Sequence, residues 1–229
     1  MMALAEELFP ICRSITGNGI RQTLTILQRH VPLELNEVPS GTPVLDWTVP
    51  REWNIREAYV ARVDGTRVVD FSTNNLHVVQ YSQPINAVMP LAELRPHLHT
   101  LPDRPDWIPY RTSYYTENWG FCLTHRQLSS LVDGLYQVVI DTDLKPGHLS
   151  YGELLIPGES EDTVLFSCHI CHPRSPTITY RGSLSRRCWR FMFKRCGRLA
   201  HLARPQRGYA GSRSRAIPTR IQDGTEFVE

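Results

Sequence analysis

The chain of 229 residues holds no run of about 18 apolar residues, so no membrane-spanning helix is expected. Nor does it open like a secretory signal. Met1–Pro10 carries Glu6 and Glu7 and has no basic stretch ahead of an apolar core,. The six cysteines, at positions 12, 122, 168, 171, 188 and 196, are scattered. That excludes a dense disulfide scaffold and leaves thiols, with a cytoplasmic location as the expectation. P-loop glycine spacing is missing too. The one Gly-rich turn flanked by arginines, R-S-I-T-G-N-G-I-R at 13–21, does not match it, so ordinary turn chemistry is preferred over a phosphate cradle for Arg13 and Arg21.

What remains is a chain with 41% hydrophobic residues, long enough for one large domain or two small ones with a real core. The formal net charge of +2 hides two opposite parts. Residues 174–229 hold 12 arginines and one lysine against three acids, so residues 1–173 are net acidic. Such asymmetry raises the reading of a nucleic-acid arm, which would show salt-sensitive nonspecific binding.

Two stretches predict helices, 3–9 and 20–30, the second with Ile20, Leu24, Leu27 and Val31 at helical spacing,. From about Pro32 the texture becomes β-rich, with short segments at 44–49, 58–63, 67–71 and 76–81. Asp64-Gly65 between two β-branched runs signals a hairpin,. A short helix at 91–97 and a proline-rich connection at 102–109 follow. Residues 109–123, P-Y-R-T-S-Y-Y-T-E-N-W-G-F-C-L, crowd aromatics around Arg111. They read either as a packed junction with Arg111 ion-paired, or as a ligand-contacting loop of Arg111, Tyr114, Tyr115 and Trp119. Next come a helix at 124–131 and strands at 134–141, 149–156 and 163–166. Asp141, Asp143 and Glu153 are acids near strand ends, read as caps or solvated groups.

The last of these strands enters the densest chemical cluster of the chain, T-V-L-F-S-C-H-I-C-H-P at 163–173. Side chains beyond the carboxyl end of a strand are well placed for chemistry in open α/β sheets. Cys168-His169-Ile170-Cys171-His172 spells C-x-x-C-H, the haem-attachment pattern, but haem attachment needs an oxidising compartment. A redox C-x-x-C normally opens a helix after a strand. The third reading is a divalent metal held by an imidazole, with a neighbouring group orienting its other nitrogen.

The words R-S-I-T-G-N-G-I-R (13–21), S-G-T-P-V-L-D-W-T-V-P-R-E-W-N-I-R-E-A (40–58), P-Y-R-T-S-Y-Y (109–115), W-G-F-C-L (119–123), L-S-Y-G-E (149–153) and S-C-H-I-C-H-P (167–173) occur in order. Together they resemble the bacterial polysaccharide-biosynthesis proteins with an aminopeptidase-like domain, relatives of the co-catalytic zinc aminopeptidases. The resemblance covers about residues 5–173. It implies an α/β fold: an incomplete aminopeptidase-like domain (1–33 plus 116–173), an inserted small all-β domain with its connection (34–115), and a disordered Arg-rich tail (174–229). It implies hydrolysis of an amide bond at an N-terminus, with two zinc ions and a Glu base. The substrate expected for the parent family is a peptide or an amino-sugar-like small molecule; neither membrane nor nucleic acid is an expected partner. His169 corresponds to the first metal ligand, with Cys171 and His172 as supporting groups. No catalytic residue is assigned. The competing reading is a non-catalytic binding module that uses the β domain and the aromatic loop.

In the resembling proteins H-I-C-H-P leads into an S-L-A-N-D-N-L-S-G-like stretch whose Asp resembles the carboxylate that bridges two zinc ions in the aminopeptidases. Here Thr177-Ile178-Thr179-Tyr180-Arg181-Gly182 stands at the Asn-Asp-Asn-Leu-Ser-Gly word, with Ile178 at the position of the Asp. Codons for the present residues, read one base earlier, can spell Asn-Asp-Asn-Leu-Ser-Gly. Continued to Arg190, the shifted frame permits an apolar, helix-forming run. A frameshift near residue 174 therefore accounts for both the lost carboxylate and the arginines, which GC-rich DNA yields when read out of frame. The expected chain is an inactive fragment. Sequencing the gene across codon 174 tests this: codons incompatible with the shifted word would overturn it.

Overall fold

The computed structural model describes residues 2–157, 165 and 167–173. The tail 174–229 and all of the expected strand at 163–166 except Leu165 lie outside the described residues. Among the described residues no helix is long and apolar enough to cross a membrane.

Helix α1 spans Met2–Leu8 and α2 spans Asn18–Gln28. The apolar period of α2 does what its spacing predicts, burying Ile20, Leu24, Ile26 and Leu27,. Ile26 and Leu27 form a small core with Leu8 and Ile11, against which Ile170 of the His/Cys segment also packs. The turn before α2 needs its glycines for close approach. A Cβ on Gly17, at φ +94°, would lie 2.2 Å from Trp53 O, and one on Gly19 would lie 2.1 Å from Cys12 O,. That is the physical reason for the G-N-G spelling. Arg21 is engaged by Glu52 rather than free for phosphate.

The β part comprises β1 (Glu34–Pro39), β2 (Pro43–Val44), β3 (Trp47–Thr48), β4 (Glu52–Arg62), β5 (Arg67–Asp70), β6 (Ile85–Pro90), β7 (Leu98–His99), β8 (Phe121–Cys122), β9 (Leu135–Lys145) and β10 (His148–Glu153). Helix α3 (Leu91–Leu94) precedes β7, and α4 (His125–Ser129) follows β8. The α4 start carries a full capping box between Thr124 and Gln127,. The main sheet has the order β5-β4-β9-β6 with every pairing antiparallel. Separately, β1 pairs with β10, β2 with β3, and β7 with β8. The fold is thus mixed α/β with several sheets.

Three differences from the sequence reading have physical causes. The segment expected as a strand at 76–81 begins as a 3-10 turn, Asn75–His77, because the Asn74 side chain accepts from Leu76 N,. Strand β6 was not anticipated. The strand expected at 134–141 is β9, which lies between β4 and β6. The sheet therefore runs across the 115/116 boundary that the resemblance implies, because antiparallel pairing joins segments far apart in sequence.

Along β9 the alternation is clean. Tyr136, Val138, Ile140 and Thr142 are buried, and the main core gathers the first three with Trp53, Val60, Leu94, Phe121 and Leu123,. Asp141 and Asp143 face the other way and both pair with Arg56, so these acids are surface groups. Glu153 accepts from Asn36 Nδ2 at 3.2 Å.

Glu52 joins the two parts. Its side chain is 8% exposed and 2.5 Å from Arg21 Nη2 of α2. It also accepts from Asn54 Nδ2 at 3.0 Å and His148 N at 3.4 Å. The Arg21 hydrogen bond is the main reason its pKa falls from 4.5 to about 2, against the opposing effect of burial,. A carboxylate depressed in the folded state contributes stability above its unfolded pKa and loses it as pH falls. Glu52→Gln should therefore cost roughly 3 kcal/mol at pH 7 and remove the stability loss between about pH 5 and pH 2. Urea titrations of both proteins across that range measure it.

Candidate functional site

Residues 167–172 carry no regular secondary structure. Cys168 and His169 are exposed, Cys171 and His172 half-buried, and Pro173 buried. The anchor of this segment comes from the other end of the chain. Arg13 is 1% exposed. Its Nε and Nη2 donate to His172 O at 3.0 and 2.9 Å, and its Nη1 donates to Leu8 O at 2.8 Å. One guanidinium thus fixes the backbone of the His/Cys segment against the end of α1.

The β part reaches the same point. Gln80 Nε2 donates to Arg13 O. Gln80 Oε1 accepts from Tyr110 Oη at 2.9 Å and from Tyr114 Oη at 3.3 Å. The Tyr110 ring lies 5.0 Å from that of His172. The circuit Arg13, Gln80, Tyr110, His172 closes on itself, so both the carbonyl and the imidazole of His172 are located. The His169 ring stands 6.5 Å from the His172 ring, at 81° to it, and Cys171 Sγ lies 3.7 Å from His172 Nδ1.

Electrostatics favour neutral groups here. Burial, then the charges of His169 and Arg13, lower the His172 pKa. Burial raises that of Cys171, opposed by a backbone hydrogen bond and Arg13. Burial also lowers the Arg13 pKa. A redox C-x-x-C wants an activated thiolate at a helix N-terminus; this segment is not helical and its Cys171 is held as a thiol, so that reading is set aside. A His172 imidazole kept neutral suits a metal,. Yet a catalytic zinc needs about three protein ligands, and among the described residues no group of three His, Cys, Asp or Glu side chains is placed to hold an ion. The described residues do not by themselves fit a zinc centre.

The residues proposed from the aromatic loop divide. Tyr114 belongs to the circuit, and its ring meets Tyr81 edge-on at 4.7 Å. Tyr115 stands beside it at 6.2 Å and is 83% exposed. Trp119 instead stacks on His97 with centroids 3.7 Å apart, and His97 Nδ1 donates to Trp119 O. Arg111 is exposed. Its carbonyl accepts from Gln80 N, and its charge helps burial lower the pKa of His99 to about 4. No ion pair to Arg111 occurs among the described residues. The packed-junction reading holds for Tyr114 and Trp119 but not for its Arg111 ion pair, and Tyr115 is presented to solvent. Gln80 and Tyr110 were missed, and Arg13 was seen only as the flank of a turn. The available signal was Arg13 itself, an arginine in an otherwise small and apolar stretch.

Residues 52–143 match a family described as "Domain of unknown function (DUF2172)". A Clostridium acetobutylicum protein named "Putative polysaccharide biosynthesis protein with aminopeptidase-like domain" is 57% identical over 170 residues, 74% of this chain and 39% of that protein. The crystal structure of a "putative peptidase" from Clostridium acetobutylicum is 49% identical, with a TM-score of 0.81, over 87% of this chain and 48% of that one. The chain spans less than half the length of either.

Replacing Arg13 should release the His/Cys segment. Arg13→Met is expected to cost roughly 3 kcal/mol, from losing charge-assisted bonds to two carbonyls that stay buried. It should speed amide hydrogen exchange at 170–172 more than in β9. Equal acceleration in both would mean that Arg13 supports the whole fold rather than this segment.

Proposed function

Because the chain is a homologue of a protein named for polysaccharide biosynthesis and an aminopeptidase-like domain, we propose that it is a portion of a zinc-dependent aminopeptidase-like hydrolase whose metal site is not completed. His169 is the metal-ligand position and His172 its neighbour, with Arg13 holding the segment that bears both. The observation that carries the reading is this anchored imidazole pair without a carboxylate: Ile178 stands at the position expected for the bridging Asp, and an alkyl side chain cannot coordinate. Zinc is the metal of the parent enzyme, and its substrate class is a peptide or an amino-sugar-like molecule. As written, the chain does not hydrolyse peptides.

The frame change near residue 174 explains the missing ligand and the Arg-rich stretch together, and leaves no role for a nucleic-acid arm. A second reading, a non-catalytic binding module, is favoured by the solvent-facing Tyr115.

Metal content and turnover decide between an incomplete and a working site. After loading with zinc and desalting, the chain should retain fewer than two ions and show no chelator-sensitive cleavage of a leucine arylamide. A tightly held pair of zinc ions, or turnover that a chelator abolishes, would overturn the proposal.

A further inference from the structure

The main sheet ends in two strands that are unlike each other. On one side β5 has only four residues, with Arg67 and Asp70 at its ends, and its pairing with β4 shifts register between Val60 and Ala61. Arg67 pairs with both Glu57 and Asp70. Short length, charge and bulges are the devices by which natural sheets keep an edge from pairing with another chain. On the other side β6 lacks all three. It runs six residues, Ile85-Asn86-Ala87-Val88-Met89-Pro90, without a charged side chain, and it keeps one register along β9. Its proline stands at the last position, so Ile85–Met89 retain their N–H groups,.

Among the described residues nothing pairs with that edge. The sheet order ends at β6, and no main-chain hydrogen bond joins residues 85–90 to any segment other than β9. In an antiparallel ladder alternate residues bond to one side, so half of the N–H and C=O groups of β6 point away from β9. Beside them Val88 is 62% exposed.

Such an edge accepts an extended chain, and its own composition fits a second β6. Self-pairing opposes no like charges and matches one row of donors and acceptors to another. The faces fit as well. Half-buried Ile85, Ala87 and Met89 alternate with exposed Asn86, Val88 and Pro90, and directly opposed residues of antiparallel strands share a face. A two-fold axis at Ala87 or at Val88 keeps the exposed residues of both copies on one face. An axis between those positions would oppose half-buried side chains to exposed ones, so the register is restricted.

We infer that two copies of this chain pair antiparallel through β6, joining two four-stranded sheets into one continuous sheet. The contact is isologous and closes at two copies, because each β5 at the outer edges is guarded. With the axis at either residue, Val88 of one copy lies opposite or diagonal to Val88 of the other. The inference stands apart from the hydrolase reading and does not depend on it.

Sedimentation velocity of the full chain over a range of concentrations tests this, in high salt so that the Arg-rich stretch does not associate by charge. A reversible monomer–dimer equilibrium is expected. Val88→Lys should weaken it about tenfold or more, since like charges across paired strands repel. Val63→Lys, at a 77% exposed position just beyond β4, should leave it unchanged. Amide exchange of the unsubstituted chain is the second measurement: alternate amides of β6 should slow as concentration rises. A monomer at every concentration, assembly that continues past two copies, a dimer unmoved by Val88→Lys or equally weakened by Val63→Lys, or β6 exchange that is independent of concentration would overturn the inference.

Discussion

A guanidinium taken almost wholly out of water is costly unless its donors are met. Arg13 meets that cost with main-chain carbonyls, one at the end of α1 and one at His172. Among the described residues no carboxylate pairs with it, and burial dominates the lowering of its pKa. The arrangement couples residues 159 positions apart. It is stable only while the α1 end, the turn into α2 and the His/Cys segment all stay in place, so these three depend on one another through a single side chain.

The β part is tied to that side chain by polar contacts rather than by apolar packing alone. Gln80 receives two tyrosine hydroxyls and donates to the Arg13 carbonyl. Tyr81, with φ +66°, is an expensive conformation for an aromatic residue. It is offset by a 2.5 Å contact between its hydroxyl and Thr16 Oγ1 and by stacking on Trp53. Thr16 in turn accepts from Trp53 N. Glu52 repeats the pattern further along, joining α2 to β4 and to the start of β10. Polar joints of this kind require good geometry from every member, which makes the relation between the helical segment and the sheet definite.

The sequence revealed what is local. The α2 period and the Asp64-Gly65 turn each depend on residues a few positions apart and appear where the pattern put them, and the strand expected at 134–141 appears as the longer β9. Non-local pairing was not legible: nothing in 135–145 announces that it lies between β4 and β6. Nor was the purpose of G-N-G, since close approach to Trp53 and Cys12 is visible only once those carbonyls are placed. At the candidate site His169 and His172 stood out by residue type. Gln80 did not, because a glutamine among β-rich residues carries no pattern of its own.

On the proposed reading, two imidazoles on an anchored segment would supply part of a metal centre rather than the whole of one. A catalytic zinc gains its geometry from about three protein ligands and an open position. With two imidazole donors the ion would keep more of its water and bind more weakly, and no carboxylate would offset its charge. Rigid support cannot replace the missing ligand: Arg13 and Tyr110 locate His172 but add no donor atom to the ion.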